Sequence, residues 1–215
     1  MAFTTVLAAA LSGASVRRLR YWARSHGRRG PLLRPESRHA LPALYSFRDL
    51  LALRMFVYLR EDEDASLQRI RRALDTLTRL GDGRHPAGYR LAAAGRAILW
   101  VPEHGDPVDV VVAPGQQAWT FVREDVLGPF RDRRGQEVLA LREPCEHVSV
   151  NPEVLGGYPV VKGTRVPYDA VAGLVRDGLP PAEVNGIYPG VSEPGARDAT
   201  RFAVYVDRRL ASRAA

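Results

Sequence analysis

The residues best suited to chemistry in this 215-residue chain are arginines, and they are concentrated at one end. Residues 1–60 contain eleven arginines against Glu36 and Asp49, a formal charge of +9, whereas residues 61–215 contain 20 basic and 22 acidic side chains. A local excess of cations binds polyanions, because each phosphate contact releases condensed counterions. The charge pattern therefore favours a nucleic acid partner such as DNA, although RNA or an anionic membrane surface would satisfy the same charge.

The first of these arginines lie on a segment that has the parts of a helix-turn-helix. Residues 11–15 supply an apolar anchor, a glycine turn and Ser15 as a helix N-cap, which predicts helices over residues 3–11 and 15–23. On the second helix, apolar residues recur at three- and four-residue spacing on one face, and arginines occupy the other faces. One side of this helix is thus expected to pack and the other to be cationic.

The position of the arginines on the second helix predicts which DNA groups they contact. In a helix-turn-helix the second helix enters the major groove, and the residues near its start reach base edges. Arg17, Arg18 and Arg20 lie there, and a guanidinium can donate two hydrogen bonds to guanine. Further cations are predicted to hold phosphates, namely Arg24, Arg28, Arg29 and Arg38. The alternative is that these arginines only solvate a surface helix.

The rest of the chain is predicted to be α+β and to form three modules. More helices are expected over residues 45–59, 66–80, 168–177, 180–188 and 192–210, with β-prone runs between residues 91 and 141. The predicted domains are a helix-turn-helix DNA-binding domain over residues 1–80, a β-rich connecting region over 81–145, and a helix-turn-helix-like domain over 146–215.

Two other clusters contain residue types used in catalysis or metal binding. Cys145-Glu146-His147 places adjacent side chains on an extended segment, where they alternate in direction, and no second ligand pair lies nearby. The acidic residues 61–64 are typical of a solvated turn, because metal-binding acids converge from separate elements. We therefore predict no catalytic residue, metal site or cofactor, and a chain that is not an enzyme.

The composition predicts a cytoplasmic location. A single cysteine excludes an internal disulfide framework and favours a reducing compartment. The apolar residues 6–14 lack a preceding basic region and are followed by arginines, so they predict a helix rather than a signal peptide. No apolar run has the length that crosses a bilayer.

Motifs within residues 1–80 resemble the MerR-type winged helix-turn-helix. The resemblance rests on Phe3-Thr4, Ala9, Ser12-Gly13-Ala14-Ser15, Val16, Leu19-Arg20-Tyr21-Trp22, Tyr45-Ser46, Asp49-Leu50, Leu53, Ser66-Leu67 and Ile70. It implies that Ser15 and the arginines at 17, 18 and 20 face DNA, that Tyr21 contacts the DNA backbone, and that Arg38 lies in the wing. The usual Gly-Tyr-Arg of the wing is replaced by residues 38–44.

The C-terminal segment, residues 146–207, is similar to a small bacterial family known as a domain of unknown function, number four-three-three in its series. The similarity rests on Asn151-Pro152, Gly156-Gly157, Pro159-Val160-Val161, Lys162-Gly163-Thr164-Arg165-Val166-Pro167, Gly178-Leu179, Tyr188-Pro189, Ala199 and Tyr205. Members commonly occur beside genes for PIN-like ribonuclease toxins and are interpreted as antitoxins. The whole chain thus resembles a VapB-type antitoxin of the mycobacterial kind.

Cations in the C-terminal segment are the candidate contacts to a protein partner. A PIN nuclease holds metal ions with clustered carboxylates, and an inserted cation would block them. The candidates are Lys162, Thr164 and Arg165 beside a glycine turn, and Arg201, Arg208 and Arg209 on the final helix. The alternative is structural, with Thr164 capping locally and Arg165 pairing with a backbone group or a carboxylate.

The preferred hypothesis is the antitoxin of a type II toxin-antitoxin system. It would neutralise a PIN-type ribonuclease toxin and repress its own operon by binding operator DNA, as a homodimer on a two-fold site. One alternative is a stand-alone MerR-like transcriptional regulator whose central region binds a small ligand. Another is an enzyme, such as a nuclease, built on that central region.

Overall fold

The structure is a computed structural model that describes residues 2–25, 30–37, 43–61, 65–79, 85–86, 91–94, 97–100, 108–111, 127–132 and 135–211. The α-helices are α1 (Thr5–Ser12), α2 (Val16–Trp22), α3 (Phe47–Glu61), α4 (Leu67–Arg79), α5 (Tyr168–Arg176) and α6 (Glu193–Ala211), and 3-10 helices span Leu155–Gly157 and Pro181–Gly186. The strands are β1 (Phe3–Thr4), β2 (Leu44–Tyr45), β3 (Leu91–Ala94), β4 (Ala97–Trp100), β5 (Val108–Asp109), β6 (Phe130–Arg131), β7 (Glu137–Val138), β8 (Val148–Ser149) and β9 (Val160–Val161).

The strands form small antiparallel sheets. β1 pairs with β2, β4 lies between β3 and β5, β6 pairs with β7, and β8 pairs with β9. With the helices, these sheets confirm the predicted α+β class. One of the β-prone runs of the central region, residues 118–122, lies outside the described residues.

The helix-turn-helix forms where the sequence predicts it, apart from its first two residues. Gly13 ends α1 at φ 79°, a left-handed conformation that glycine adopts without strain. The Ser15 hydroxyl then accepts a hydrogen bond from the N–H of Arg18 at 3.2 Å and begins α2. The predicted helix start at residue 3 is wrong, because Phe3–Thr4 pairs with Leu44–Tyr45 and this pairing buries Phe3.

Helix α3 lies at the centre of the N-terminal module. Ten of its fifteen residues are buried, including the charged Asp49 and Arg54. It begins at Phe47 rather than Tyr45, because Tyr45 belongs to β2. Helix α4 follows the predicted amphipathic pattern and buries Ile70 and Leu77 against the core.

The C-terminal segment folds as a compact set of short elements. Helix α5 is followed by Gly178 at φ 101°, as predicted, and the Ser192 hydroxyl accepts a hydrogen bond from the N–H of Gly195 at 3.2 Å at the start of α6. Residues 181–186 form a 3-10 helix, the tighter helix common in connecting segments, instead of the predicted α-helix. Hairpin β8–β9 packs against α6.

One apolar core runs through all three predicted modules. It includes Leu7 and Phe56 of the N-terminal module, Val138 of the central region, and Val171 and Phe202 of the C-terminal segment. Adjacent aromatic rings with centroids 4.8 to 6.3 Å apart connect β1 to α6, in the order Phe3, Tyr158, Tyr168, Phe202 and Tyr205. Within the described residues, no helix is long and apolar enough to cross a membrane.

Candidate nucleic-acid interface

Helix α2 divides cleanly into a packed face and a cationic face. Val16, Leu19 and Trp22 are buried, and the Trp22 ring meets Phe56 of α3 edge to face at 6.1 Å. This packing fixes how far the helix stands out from the core. The opposite face is exposed and presents Arg17, Arg20 and Tyr21, and Arg24 is exposed just after the helix ends.

The DNA-binding residues predicted on α2 and just after it differ in whether they form ion pairs within the chain. Arg17, Arg20 and Arg24 form no ion pair with another described residue. Arg18 forms an ion pair with Glu61, whose side chain is only 1% exposed at the end of α3. Arg18 is therefore tied to the scaffold, while the other three guanidinium groups keep their donors for a ligand. Arg28, Arg29 and Arg38 lie outside the described residues.

A buried carboxylate holds both ends of the segment in which the wing is predicted. Asp49 Oδ2 accepts hydrogen bonds from the backbone N–H groups of Glu36 at 3.0 Å and Ser46 at 2.8 Å. Its other oxygen lies 3.1 Å from Nε2 of His85. Glu36 and Ser46 are ten positions apart in the sequence, so one side chain connects two separate points of the module's backbone.

The contacts of Asp49 stabilise its charged form. Burial by itself would raise the pKa of this carboxyl group, but the hydrogen bonds from His85, Ser46 and Glu36 outweigh burial and lower the pKa below its ordinary value of 3.8. Asp49 is therefore ionised at neutral pH although its side chain is inaccessible to solvent.

The predicted partner-binding residues beside the glycine turn are mostly held within the chain. Lys162 Nζ lies 2.9 Å from Oε1 of Glu143, and both side chains are about half exposed. The Thr164 hydroxyl donates to the carbonyl of Val161 at 2.8 Å and accepts from the N–H of Val166 at 3.0 Å. Thr164 thus caps its own turn, as the structural alternative expects, while Arg165 is exposed.

The three arginines of α6 lie in different environments. Arg201 is 76% exposed and lies 3.1 Å from Asp198. Arg208 is exposed and forms no ion pair with another described residue. Arg209 is 11% exposed, lies 3.1 Å from Asp132 and donates to the carbonyl of Glu137 at 2.6 Å, so its contacts are internal.

The cysteine and histidine singled out from the sequence lie against α6. His147 Nδ1 lies 2.9 Å from Oδ2 of Asp198, and the backbone N–H of His147 donates to the same oxygen at 3.0 Å. Burial, aided by Asp198, raises the pKa of the Cys145 thiol to about 11, so the reactive thiolate is scarce at neutral pH. Among the described residues, no three histidine, cysteine or acidic side chains form a metal-binding group.

Comparison with known proteins assigns both ends of the chain. Residues 3–77 match the family model described as "MerR HTH family regulatory protein". The N-terminal module is a MerR-family helix-turn-helix. Residues 148–203 match the model described as "Protein of unknown function (DUF433)", an antitoxin-associated domain.

Similarity to a solved structure extends over nearly the whole chain. The crystal structure of Rv2018 from Mycobacterium tuberculosis is 17% identical and superposes with a TM-score of 0.51, covering 92% of this chain and 96% of that one. This likeness shows a shared fold. No curated protein matches the chain significantly.

The DUF433 domain packs directly on the MerR module, on the side formed by α1. The Tyr205 hydroxyl of α6 donates to the carbonyl of Ala10 at 3.2 Å. A Cβ atom on Gly13 would lie 2.7 Å from Cγ2 of Val138, and one on Gly157 would lie 2.6 Å from the Phe47 ring. Gly13 and Gly157 therefore allow hairpin β6–β7, here named the central hairpin, and the DUF433 domain to lie close to the MerR module. The cationic face of α2 stays exposed.

Arg54 of α3 connects the MerR module to the central region by hydrogen bonds. Its side chain is fully buried, and the guanidinium donates to the carbonyls of Leu11 at 2.6 Å and Leu139 at 2.8 Å, and also to that of Gly128. It also lies over the Phe130 ring, 5.0 Å from the centroid. One cation thus orders backbone from three separate segments.

Sequence reasoning did not assign roles to Asp49, His85 or Arg54. Asp49 is part of the MerR resemblance, and it follows Ser46 at the spacing of a capping box ahead of an apolar run. Arg54 stands among apolar residues of α3, where a charged residue marks an internal contact. For His85 the sequence offers no such signal, because its partner is 36 positions away.

Proposed function

We propose that this protein is the antitoxin of a type II toxin-antitoxin system, a VapB-type protein that acts in the cytoplasm. In this proposal the MerR module binds the operator of its own operon, and the DUF433 domain binds and neutralises a PIN-type ribonuclease. The function is binding rather than catalysis. The observation that carries the proposal is the joining of a DNA-binding family and an antitoxin-associated domain in one chain with one core.

The geometry of α2 supports the DNA-binding half. Arg17 and Arg20 are exposed on α2, Arg24 is exposed just after its end, and the packing of Trp22 against Phe56 limits the position of the helix. Base-edge contacts from Arg17 and Arg20 would supply specificity, and phosphate contacts from Arg24 would supply affinity. A single module contacts few base pairs, so the proposal includes a homodimer on a two-fold operator.

The packing of the DUF433 domain supports separate surfaces for DNA and for the ribonuclease. It lies against α1 and the central hairpin, while Arg17 and Arg20 of α2 stay exposed. In the proposal, DNA and the ribonuclease therefore use different surfaces of the chain.

Co-expression tests the proposal. The full chain is expressed with the PIN-type ribonuclease encoded beside it, and growth, co-purification and size-exclusion mass are measured. Rescue of growth together with a stable complex is the expected result. A ribonuclease that stays toxic and elutes alone would show that the chain is not its antitoxin, and EDTA-sensitive nuclease activity of the chain itself would contradict a binding role.

A mobility-shift assay with the DNA upstream of the operon tests the other half. The double variant R17A/R20A is expected to lose specific binding, whereas R72A, on exposed Arg72 of α4, keeps it. Specific binding should also fall steeply with salt, because phosphate contacts release counterions. Equal binding by both variants would remove α2 from the interface.

A further inference from the structure

A groove along α6 has the form of a peptide-binding site. Helix α6 and the segment around Pro144 and Cys145 enclose a cleft of about 430 Å³, with Phe202 and Tyr205 among its apolar lining residues. A second depression of about 290 Å³ continues it toward Glu137 and shares Tyr205 with the first. Together they form one groove beside the helix, here named the α6 groove.

Val204 is an apolar residue of the α6 groove whose side chain is exposed to solvent. Val204 is 40% exposed, whereas its neighbours Phe202 and Val206 are buried. Val204 stands between two arginines, since Arg201, Val204 and Arg208 follow at spacings of three and four and therefore share one side of the helix. The exposed apolar side chain of Val204 is therefore flanked by two guanidinium groups on the same side of the helix.

The charges on the rim indicate what kind of segment fits. Arg208 has no ion-pair partner among the described residues. Arg201 does have one, Asp198, but that carboxylate already accepts two contacts from His147, and the arginine side chain remains 76% exposed. Glu146 is the exposed acid on the opposite wall, so the cationic part of the groove is the stretch from Arg201 to Arg208.

We propose that the α6 groove binds an acidic segment of the partner ribonuclease, with an apolar side chain placed against Val204 and carboxylates paired with Arg201 and Arg208. This inference rests on the proposed antitoxin function and names the surface that carries it. Seven residues of α-helix span about 10 Å, which an extended chain covers in about three residues. The segment is therefore expected to carry two acidic residues about three positions apart on either side of an apolar one.

Paired charge-removal variants of the full chain test this surface. R201Q/R208Q removes two positive charges from the groove, and K162Q/R165Q removes the same charge from the other candidate site of the DUF433 domain. Affinity for the co-purified PIN-type ribonuclease is measured by titration calorimetry. We expect R201Q/R208Q to weaken binding about tenfold or more, whereas a loss of affinity confined to K162Q/R165Q would place the ribonuclease at the glycine turn and overturn the proposal for the α6 groove.

A third variant tests the apolar contact and guards against loss of folding. V204D places a carboxylate on an exposed position, so it should repel an acidic segment while thermal unfolding and DNA binding stay unchanged. If the wild-type chain binds the ribonuclease and both groove variants bind equally well, the α6 groove is wrong and the antitoxin proposal stands. If the wild-type chain binds no PIN-type ribonuclease, the proposed function is wrong, and so is the assignment of an acidic ribonuclease segment to the α6 groove.

Discussion

The MerR module uses arginine in opposite ways on two of its faces. On the outer face, formed by the exposed side of α2, Arg17 and Arg20 project into solvent. On the inner face, where α1 and α3 meet the central hairpin, Arg54 is fully buried and donates to three carbonyl groups. A solvated guanidinium keeps its donors for phosphates and bases, whereas a buried one satisfies backbone of its own chain. The count of cations near the N-terminus therefore overstates the charge available to DNA.

The largest effect is expected on the inner face, from Arg54→Met. Methionine fills part of the space but leaves the carbonyls of Leu11, Gly128 and Leu139 without their donor. Buried acceptors that lose a partner cost about 1–3 kcal/mol each, so we expect the free energy of unfolding to fall by about 3–5 kcal/mol. Urea denaturation measures it, with Arg72→Met as the exposed control, expected within about 0.5 kcal/mol. A stable Arg54→Met variant would show that the buried cation is not needed.

Gly13→Ala is expected to have the next largest effect, on the same face. Alanine at φ 79° is strained, and its Cβ would lie 2.7 Å from Val138. Gly135 provides a matched control, because it has φ 72° but open space around it. We expect Gly135→Ala to cost about 1 kcal/mol and Gly13→Ala about 2–3 kcal/mol in thermal unfolding. An equal loss of stability in the two variants would mean that the central hairpin shifts away from the added Cβ atom at no measurable cost in free energy.

The inner face also shows where sequence reasoning reaches its limit. The turn at Gly13, the cap at Ser15 and the end of α5 at Gly178 could be predicted, because each depends on a local residue preference. The pairing of Phe3–Thr4 with Leu44–Tyr45 could not, because it joins segments 40 residues apart. The outer-face arginines follow from helical periodicity, whereas the tie between Arg18 and Glu61 depends on how α2 and α3 pack.

Asp49 lies between the two faces, and Asp49→Asn should affect both. The amide cannot accept from Glu36, Ser46 and His85 as a carboxylate does, so we expect the free energy of unfolding to fall by about 1–3 kcal/mol. DNA binding should also weaken, because the backbone at Glu36 and Ser46 loses part of its shared acceptor. Its pKa is lower in the folded protein, so its contribution is present above the ordinary value of 3.8 and is lost as the pH falls through the folded pKa.

Acid unfolding curves follow from this sign. The stability difference between wild type and Asp49→Asn should be constant at neutral pH and shrink below about pH 4. A difference that stays the same down to pH 3 would mean that the carboxylate charge contributes nothing.

The smallest effect on stability is expected on the outer face, where Arg17, Arg18 and Arg20 separate two roles. Arg17→Ala and Arg20→Ala should leave the free energy of unfolding within about 0.5 kcal/mol, because neither side chain forms an ion pair with another described residue. Each should lower discrimination for the operator by about 1–3 kcal/mol in mobility-shift titrations against mutated sites. Arg18→Ala should instead lower stability, because the Glu61 side chain is 1% exposed and loses this ion pair, and should change specificity least. If Arg18→Ala abolishes specificity while the other two variants do not, Arg18 is the residue that contacts the bases. Exposure would then not identify the DNA-contacting residues of this helix.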